Sequence, residues 1–338
     1  MTSGGTASFC YALMCHTDPD GVLDRVRRIR ELSSGHVLVR YSDPAFIDEQ
    51  RLSELGAHRL LSSLPTRWGD SSLIDAALEM FEVAREMTDC DYVVLLSGQD
   101  QPIRDLAAWE EQVRSWNVDA VLDPAVDQPE DHTWRWHVTY PPRVRIGPVD
   151  DVLRRVPLRL ARHVPGVAVL GRRGERRLLI GRPRRRLAPP LLPVKCSFWA
   201  VLGRRAIDAV ATRSRLDAEV RRWRETVRIP DEWYVSSILL DDPSLRIALA
   251  RTTTKTFSPQ LSRPEFIDLD ILADMRRRSY APFARKMPAD PDPAVLAVAD
   301  ALTRRTPEEV AGDVVVRRET PAWASRVRAQ IVETGVQR

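Results

Sequence analysis

An apolar run, Tyr92 to Leu96 in the stretch DYVVLLSGQDQPIRD, ends abruptly in the polar side chains of Ser97, Gln99 and Asp100. Such a run is typical of a buried parallel strand, and open α/β sheets present their ligand contacts just beyond the carboxyl ends of the strands. This pattern predicts a polar ligand site after the strand. The alternative is an ordinary turn between a strand and a helix, in which Asp100 caps the helix.

The basic residues carry a second signal, because almost all of the 51 lysines and arginines are arginines. The only lysines are Lys195, Lys255 and Lys286, and such a skew is typical of a GC-rich coding sequence. A lysine that is retained in spite of this skew toward arginine indicates a need for a compact, flexible point charge instead of a planar guanidinium group. A single arginine is therefore weak evidence for an anion site in this chain, whereas a lysine is stronger evidence.

The elements that must position these residues follow from the hydrophobic pattern of the first third of the chain. Short apolar runs predict strands, and apolar residues at helical spacing predict helices. The predicted strands are FCYALMCH (Phe9 to His16), HVLVRYS (His36 to Ser42), HRLL near His58, DYVVLLSG and DAVLDP (Asp119 to Pro124), and the predicted helices are GVLDRVRRIREL, SSLIDAALEMFEVAREM and DLAAWEEQVRSW. This alternation predicts an α/β fold with a Rossmann-like, mostly parallel sheet flanked by helices.

The later parts of the chain differ in character. Residues 143–193 are rich in Arg, Pro and Gly, which indicates a solvated, mobile excursion or, alternatively, an anion-contacting lid over a phosphorylated substrate. CSFWAVLGRRAIDAVA predicts a further strand and helix, and IPDEWYVSSILL predicts a helix that starts at Pro230 and Asp231. We expect one domain over residues 1–290 and a helical tail over 291–338, where PAVLAVADALTRR and PAWASRVRAQIVE form amphipathic helices that pack on the domain or on a partner.

Composition limits the compartment and the partners. The hydrophobic content of 43% is ordinary for a soluble globular protein, and no apolar run approaches the roughly 18 residues that span a membrane. Cys10, Cys15, Cys90 and Cys196 form no CxxC pair, so we expect reduced, buried thiols, with neither a zinc site nor a disulfide. We expect a cytoplasmic protein. Its net charge of +4 does not indicate a nucleic-acid partner, because the basic residues follow the arginine skew.

Four separated segments together resemble one enzyme family. Its members have W-G followed by S-L-x-x-A-x-L, then a strand ending in L-S-G-x-D-x-P-I, then P-D-E, and finally F-A-R-K. The matching segments, in the same order, are RWGDSSLIDAALEMFEVA (Arg67 to Ala84), YVVLLSGQDQPIRD, IPDEWYVSSIL and SRPEFIDLDILADMRRRSYAPFARKM (Ser262 to Met287). From about residue 9 to residue 287 the chain thus resembles the core 2/I-branching β-1,6-N-acetylglucosaminyltransferases and peptide O-xylosyltransferases of glycosyltransferase family 14.

The resemblance implies a GT-A fold and a reaction that inverts the anomeric centre without a metal ion. In metal-dependent GT-A enzymes the matching strand ends in D-x-D, whereas SGQD here supplies one carboxylate, and a divalent ion binds more than one. Other D-x-D strings begin at Asp18, Asp89, Asp268 and Asp290, and we interpret them as coincidences because none follows a strand at that position. No metal and no cofactor is therefore expected besides the UDP-sugar donor.

The resemblance also implies roles for charged residues. Glu232 of IPDEW matches the family's catalytic base, which accepts the proton of the acceptor hydroxyl as its oxygen attacks C1 of the donor sugar. Arg263 of SRPEF and Lys286 of FARK match the cations that neutralise the leaving nucleoside diphosphate. Asp231 is interpreted as a helix cap or, alternatively, as a second functional carboxylate.

Weaker matches concern the donor nucleotide and the acceptor. His16 and Asp43 follow the first two predicted strands at positions that bind uracil and ribose in the family, although VRYSD replaces the family's H-x-D, and a histidine at a strand end is equally typical of a structural residue. The further residues predicted to line this donor crevice are Trp68, Ser97, Gln99 and Asp100. Cys196 in KCSFW replaces a glycine of the family, so the acceptor pocket departs from the pattern.

The resemblance implies a metal-independent, inverting transferase that moves a sugar, in the first place N-acetylglucosamine, from a UDP-sugar to an acceptor hydroxyl. UDP-xylose is the alternative donor, because the sequence does not reveal whether the pocket holds a 2-acetamido group. A non-catalytic module whose arginine-rich segment binds a polyanion is the alternative from another class, and a steep salt dependence of binding would indicate it. The expected acceptor is a glycan, a lipid-linked sugar or a natural product made in a bacterial cytoplasm.

Overall fold

The computed structural model describes residues 8–67, 69, 71–123, 144–148, 167–170, 177–180, 190–191, 193–226, 229–257, 264–278, 280–304 and 315–317. Its strands are β1 Phe9–Met14, β2 His36–Tyr41, β3 His58–Leu61, β4 Tyr92–Ser97, β5 Gln101–Pro102, β6 Ala120–Leu122, β7 Val144–Pro148, β8 Val167–Leu170, β9 Arg177–Ile180, β10 Val201–Gly203, β11 Ile247–Leu249, β12 Thr253–Lys255, β13 Phe283–Arg285 and β14 Val315–Arg317. Its helices are α1 Pro19–Leu32, α2 Glu49–Glu54, α3 Ser72–Thr88, α4 Leu106–Trp116, α5 Arg204–Leu216, α6 Ala218–Thr226, α7 Tyr234–Asp241, α8 Leu269–Arg278 and α9 Pro293–Leu302, with a 3-10 turn at Pro230–Glu232. None of the described helices is long and apolar enough to cross a membrane.

The main sheet contains eight of these strands in the order β3-β2-β1-β4-β10-β6-β11-β14. The pairs β1-β2, β2-β3, β1-β4 and β6-β11 are parallel, and β10 and β14 run antiparallel to their neighbours. The carboxyl ends of β1, β2, β4 and β6 therefore lie at one edge of the sheet, where α/β folds bind ligands. The predicted fold class, a Rossmann-like, mostly parallel sheet flanked by helices, is confirmed.

The residues of β1 show how the sheet is covered on both faces. Cys10 and Ala12 belong to one buried cluster, whereas Phe9 and Tyr11 belong to another, because successive side chains of a strand point to opposite faces. Helices α3, α5 and α7 complete the first cluster, and α1 and α4 complete the second. Strand β1 is apolar throughout, as expected for a strand that is buried on both faces. The strand was predicted from this continuous apolar run. The cysteines are buried and free, as predicted.

A smaller sheet, in the order β12-β13-β5, adjoins the carboxyl end of β4, because β5 follows β4 directly after a short turn. Strands β12 and β13 are parallel, and β13 and β5 are antiparallel. Ile103, Met287, Leu272 of α8 and Val295 of α9 belong to the apolar cluster that packs with this sheet. The predicted helix PAVLAVADALTRR is thus confirmed as α9, whereas PAWASRVRAQIVE lies outside the described residues.

Two regions contain strands that the hydrophobic pattern did not predict. Within the arginine-rich segment 143–193, β7, β8 and β9 form an antiparallel sheet in the order β7-β9-β8. Much of the rest of this segment lies outside the described residues, so its role as a lid stays a prediction. In the predicted helical tail, β14 pairs with β11 at an edge of the main sheet. Strands β7, β8 and β9 lie among Arg, Pro and Gly residues, which obscure a periodic apolar pattern.

Candidate active site

The turn that follows β4 is held by a buried carboxylate. Asp100 is 1% exposed, and its Oδ2 accepts a hydrogen bond of 2.6 Å from the backbone N–H of Ser97. Its Oδ1 lies 3.3 Å from a guanidinium nitrogen of Arg285 in β13, and the same nitrogen donates a short hydrogen bond to Ser97 Oγ. Asp100 therefore closes the turn and fixes β13. The alternative role of Asp100 as a helix cap is wrong, since Asp105 caps α4 through the N–H of Ala108.

Gln99 ties the same turn to the residue after Lys286. Its Nε2 donates to the carbonyl of Met287 at 3.3 Å, and the N–H of Met287 donates to the carbonyl of Gln99 at 3.0 Å. The structure thus brings Ser97, Gln99 and Asp100 together beside the segment that carries Lys286. All three side chains are buried and make hydrogen bonds within the protein. Their part in donor binding stays a prediction, in which they shape the donor site.

Gly98 fits this turn because it has no side chain. A Cβ atom at this position would lie 2.8 Å from Val22 Cγ2 and 2.9 Å from Cys15 Sγ. We expect Gly98→Ala to lower the free energy of unfolding by about 1–3 kcal/mol, the usual cost of overpacking. Urea denaturation of the single variants and of the Val22→Ala/Gly98→Ala pair measures this, and the cost should shrink when Val22 is alanine. An equal cost in both backgrounds would contradict the contact.

Two of the three lysines lie at the small sheet, Lys255 at the end of β12 and Lys286 directly after β13. Lys255, the last residue of β12, lies in register with Arg285 of β13. The guanidinium of Arg285 lies 4.5 Å from the ring centroid of Trp199, and Lys286 Nζ lies 5.7 Å from that of Phe266. The backbone N–H of Lys286 donates to the carbonyl of Glu265 at 3.4 Å, which places the segment beginning at Pro264 beside Lys286. The predicted donor residues Arg263 and Trp68 lie outside the described residues.

Glu232 ends the 3-10 turn that precedes α7. The turn follows Ile229, a β-branched residue in the left-handed conformation at φ 55°, which costs about 1–3 kcal/mol and indicates that the surroundings impose this geometry. The Glu232 carboxylate is 32% exposed and lies 3.6 Å from Lys195 Nζ. The backbone N–H of Cys196 donates to the Glu232 carbonyl at 2.9 Å. A partly exposed carboxylate in a fixed turn is suited to accept a proton from a bound hydroxyl.

Asp231 does not cap a helix, so the cap interpretation is wrong. Helix α7 begins at Tyr234, and the residue before it makes no side-chain cap hydrogen bond. The Oδ1 atom of Asp231 is buried and has no hydrogen-bond partner among the described residues. Burial, reinforced by the neighbouring Glu232, raises the pKa of Asp231 to about 7. The carboxyl group therefore titrates near neutral pH, and the alternative of a second functional carboxylate stays a prediction.

The segment from Lys195 to Trp199 joins the two halves of the site. At its start, Lys195 and the N–H of Cys196 hold the Glu232 turn, and at its end Trp199 stacks against Arg285 of β13. The N–H of Ser197 donates to the carbonyl of Asp123, which follows β6 at the same edge of the main sheet. One short segment therefore connects Glu232 to the basic strand β13. Cys196 itself is buried, and its backbone, not its thiol, makes this contact.

No role was predicted from the sequence for four charged residues near this site, which are Asp123, Lys195, Lys255 and Arg285. Burial raises the pKa of Asp123 to about 6, while Lys255 and Arg251, which lies 3.9 Å from its carboxylate, oppose the rise. Asp123 ends the predicted strand DAVLDP, so its position at the sheet edge was a usable signal. Lys195 and Lys255 were marked by their rarity. Arg285 had no such signal, because arginine is common in this chain.

His16 and Asp43 lie after β1 and β2, which are neighbouring parallel strands, and both residues are exposed. The Oδ1 atom of Asp43 accepts from the N–H of Ala45 at 2.9 Å and so shapes the loop that follows β2. The structure therefore places both residues at the same sheet edge as the turn after β4. Their role in binding a nucleotide stays a prediction.

The D-x-D strings serve as helix boundaries. The side chains of Asp18, Asp268 and Asp292 accept from backbone N–H groups at the starts of α1, α8 and α9, and Asp89 ends α3 in the left-handed conformation. These contacts agree with the interpretation of the strings as coincidences. Among the residues that the structure describes, no group of three or more His, Cys, Asp or Glu side chains is arranged to hold a metal ion. Metal independence of the reaction stays a prediction.

Comparison with known proteins assigns no family to this chain. No protein-family model and no curated protein sequence matches the chain. Among solved structures, the chain is similar to glucosyl-3-phosphoglycerate synthase from Mycobacterium tuberculosis in complex with Mn2+, UDP and glucosyl-3-phosphoglycerate, at 12% identity over 62% of this chain and 66% of that chain, with a TM-score of 0.28. It is also similar to CMP:2-keto-3-deoxy-manno-octonic acid synthetase complexed with CTP, at 11% identity over 66% of this chain and 88% of that chain, with a TM-score of 0.27. The chain spans just under two thirds of the synthase, and likenesses at these scores carry no weight in assigning a function.

Proposed function

We propose that the protein is a metal-independent, inverting glycosyltransferase that moves a sugar, in the first place N-acetylglucosamine, from a UDP-sugar to an acceptor hydroxyl. One observation carries the proposal. The segment from Lys195 to Trp199 contacts the Glu232 turn at one end and Arg285 at the other, so it links a partly exposed carboxylate to the basic end of β13. This arrangement offers a base to one reactant and cations to the other.

Glu232 is the base in this mechanism. The acceptor hydroxyl donates its proton to the Glu232 carboxylate while its oxygen forms a bond to C1 of the sugar, and the bond from C1 to the phosphate oxygen of UDP breaks on the opposite side. Lys195, 3.6 Å from the carboxylate, orients Glu232 toward the crevice. The displacement is direct, so the anomeric configuration inverts.

Lys286 and Arg263 neutralise the leaving diphosphate. A cation about 4 Å from a phosphate oxygen contributes roughly 4 kcal/mol at an effective dielectric near 20, so two cations can replace a metal ion. The segment that follows Arg263 supports this pairing, since Glu265 accepts the hydrogen bond from the backbone of Lys286. Arg285 is engaged by Asp100 and Ser97, and its role is to hold the strand that presents Lys286.

The nucleotide occupies the edge near β1 and β2 in this proposal. His16 and Asp43 are exposed there and contact the uracil and the ribose, while the turn from Ser97 to Asp100 forms the floor of the crevice. The GT-A fold, membership of glycosyltransferase family 14 and a bacterial, cytoplasmic setting belong to the same proposal. UDP-xylose stays the alternative donor, and the acceptor is a glycan, a lipid-linked sugar or a natural product.

Nucleotide selectivity tests the proposed function without knowledge of the acceptor. We expect UDP and UDP-N-acetylglucosamine to raise the melting temperature more than GDP or dTDP, because a ligand at 100 times its Kd stabilises the native state by about 2.7 kcal/mol. His16→Ala and Asp43→Ala should reduce the UDP shift, and each shift is measured from the melting temperature of that variant without ligand, because Asp43 also accepts a hydrogen bond from Ala45. Equal shifts for all nucleotides would contradict the proposed donor site.

A further inference from the structure

Ile229 precedes the Glu232 turn in a left-handed conformation, which a β-branched residue adopts only where its surroundings impose it. The loop that joins β3 to α3, called here the β3–α3 loop, supplies a contact at this residue. The N–H of Ile229 donates to the carbonyl of Gly69 at 3.4 Å. Gly69 is buried and is itself left-handed, at φ 74°. The backbone of the loop therefore lies against the residue that starts the turn.

Helix α3 supports the residue on the other side of the same turn. Asp75 of α3 lies 2.8 Å from a guanidinium nitrogen of Arg224, and this guanidinium lies 5.9 Å from the ring centroid of Tyr234, the first residue of α7. Within the turn, the N–H of Glu232 donates to the carbonyl of Ile229 at 3.2 Å. The β3–α3 loop and α3 thus contact the turn from both sides.

A buried arginine of β2 anchors the start of the β3–α3 loop. Arg40 is 1% exposed, and its Nε donates to the carboxylate of Glu79 in α3 at 3.0 Å. Its Nη2 donates to Ser62 Oγ and to the carbonyl of Leu64, each at 2.8 Å. Ser62 Oγ in turn donates to the same Glu79 carboxylate at 2.6 Å. Because a guanidinium is planar and rigid, these bonds fix the loop relative to α3.

We propose that Arg40 and Gly69 are positioning residues for the proposed base. Arg40 holds the start of the β3–α3 loop, and Gly69 holds Ile229 and with it the Glu232 turn. The inference rests on the proposed function, because it names what positions Glu232. Neither residue contacts a substrate in this arrangement. Such support matters because a reacting group must be held within about 0.5 Å of its productive position.

The first test is the rate of sugar transfer by Arg40→Met. We expect kcat to fall about 10-fold with KM for the UDP-sugar unchanged, because a displaced base slows the reaction without weakening donor binding. Arg114→Met is the matched control. Arg114 pairs with the buried Glu110 of α4 on the opposite face of the main sheet, so kcat should be kept. A raised KM with unchanged kcat in Arg40→Met would overturn the inference.

Gly69→Ala acts at the other end of the loop and leaves the contacts of Arg40 in place. Among the described residues, the nearest atom that the new Cβ would meet is Ile229 Cγ1 at 3.8 Å, so the cost lies in the left-handed conformation and not in crowding. We again expect a lower kcat. The fall should be smaller in an Ile229→Gly background, because glycine adopts the left-handed conformation without support. Equal falls in both backgrounds would contradict the proposed contact.

Amide hydrogen exchange tests the same coupling without any reaction. Arg40→Met and Gly69→Ala should speed exchange at the N–H groups of Ile229 and Glu232 by about 10-fold, because the turn loses its support, whereas Arg114→Met should not. If the natural protein transfers no sugar, the proposed function fails while these rates still report whether the loop holds the turn. Unchanged exchange at both N–H groups in both variants would overturn the inference, even in a protein that transfers sugar.

Discussion

Glu232→Gln is expected to lower the rate of sugar transfer by about 10²- to 10⁴-fold while leaving the affinity for UDP unchanged. The substitution keeps the shape of the side chain and removes its ability to accept a proton. UDP affinity should be unaffected because Glu232 pairs with Lys195, whereas Lys286, a cation proposed for the diphosphate, lies directly after β13. Transfer is measured with a UDP-sugar and simple acceptors, and UDP affinity by calorimetry.

Asp231→Asn is the matched control for Glu232→Gln, because the two residues are adjacent in the same 3-10 turn. If Asp231 is not the base, Asp231→Asn should keep most of the transfer activity. A Glu232→Gln protein that transfers sugar at the natural rate would contradict the assignment. The base would then be Asp231 or Asp123, since the carboxylate of Asp100 is bound by Ser97 and Arg285.

Lys286→Ala is expected to lower the transfer rate by about 10²-fold or more, as losses of preorganised charge stabilisation do. Excess EDTA should leave turnover of the natural protein intact, because the proposed charge stabilisation comes from side chains. Lys286→Arg keeps the charge and should retain more activity than Lys286→Ala. Activity that EDTA abolishes and manganese restores would contradict metal independence.

The lysines show how much of the site could be predicted from the sequence. The pattern of apolar runs predicted β1, β2, β3, β4 and β6 and so the sheet edge at which the site lies. The scarcity of lysine marked Lys195, Lys255 and Lys286, and the structure places them respectively beside Glu232, in register with Arg285 and directly after β13. Rarity was informative because a codon bias toward arginine acts on the whole chain, whereas electrostatic need acts on a few positions.

Other features required the tertiary structure. Asp100 follows a strand and precedes a helix, so its local sequence suggests a cap, yet it binds Arg285, which is distant in the chain. Asp231 follows a proline at an expected helix start, yet a 3-10 turn intervenes and α7 begins at Tyr234. Both errors have one cause. A local pattern reports which hydrogen bonds a carboxylate can make nearby, and it cannot report a distant cation or the burial of the group.

A calorimetric titration with UDP in excess EDTA tests the central claim most directly. The natural protein and Glu232→Gln should bind UDP with the same Kd, and Lys286→Ala should bind it about 10-fold more weakly, a loss of about 1.4 kcal/mol. This result would place the diphosphate at Lys286 and separate the donor site from the base. Absence of UDP binding until manganese is added, or equal affinity in Lys286→Ala, would contradict the account.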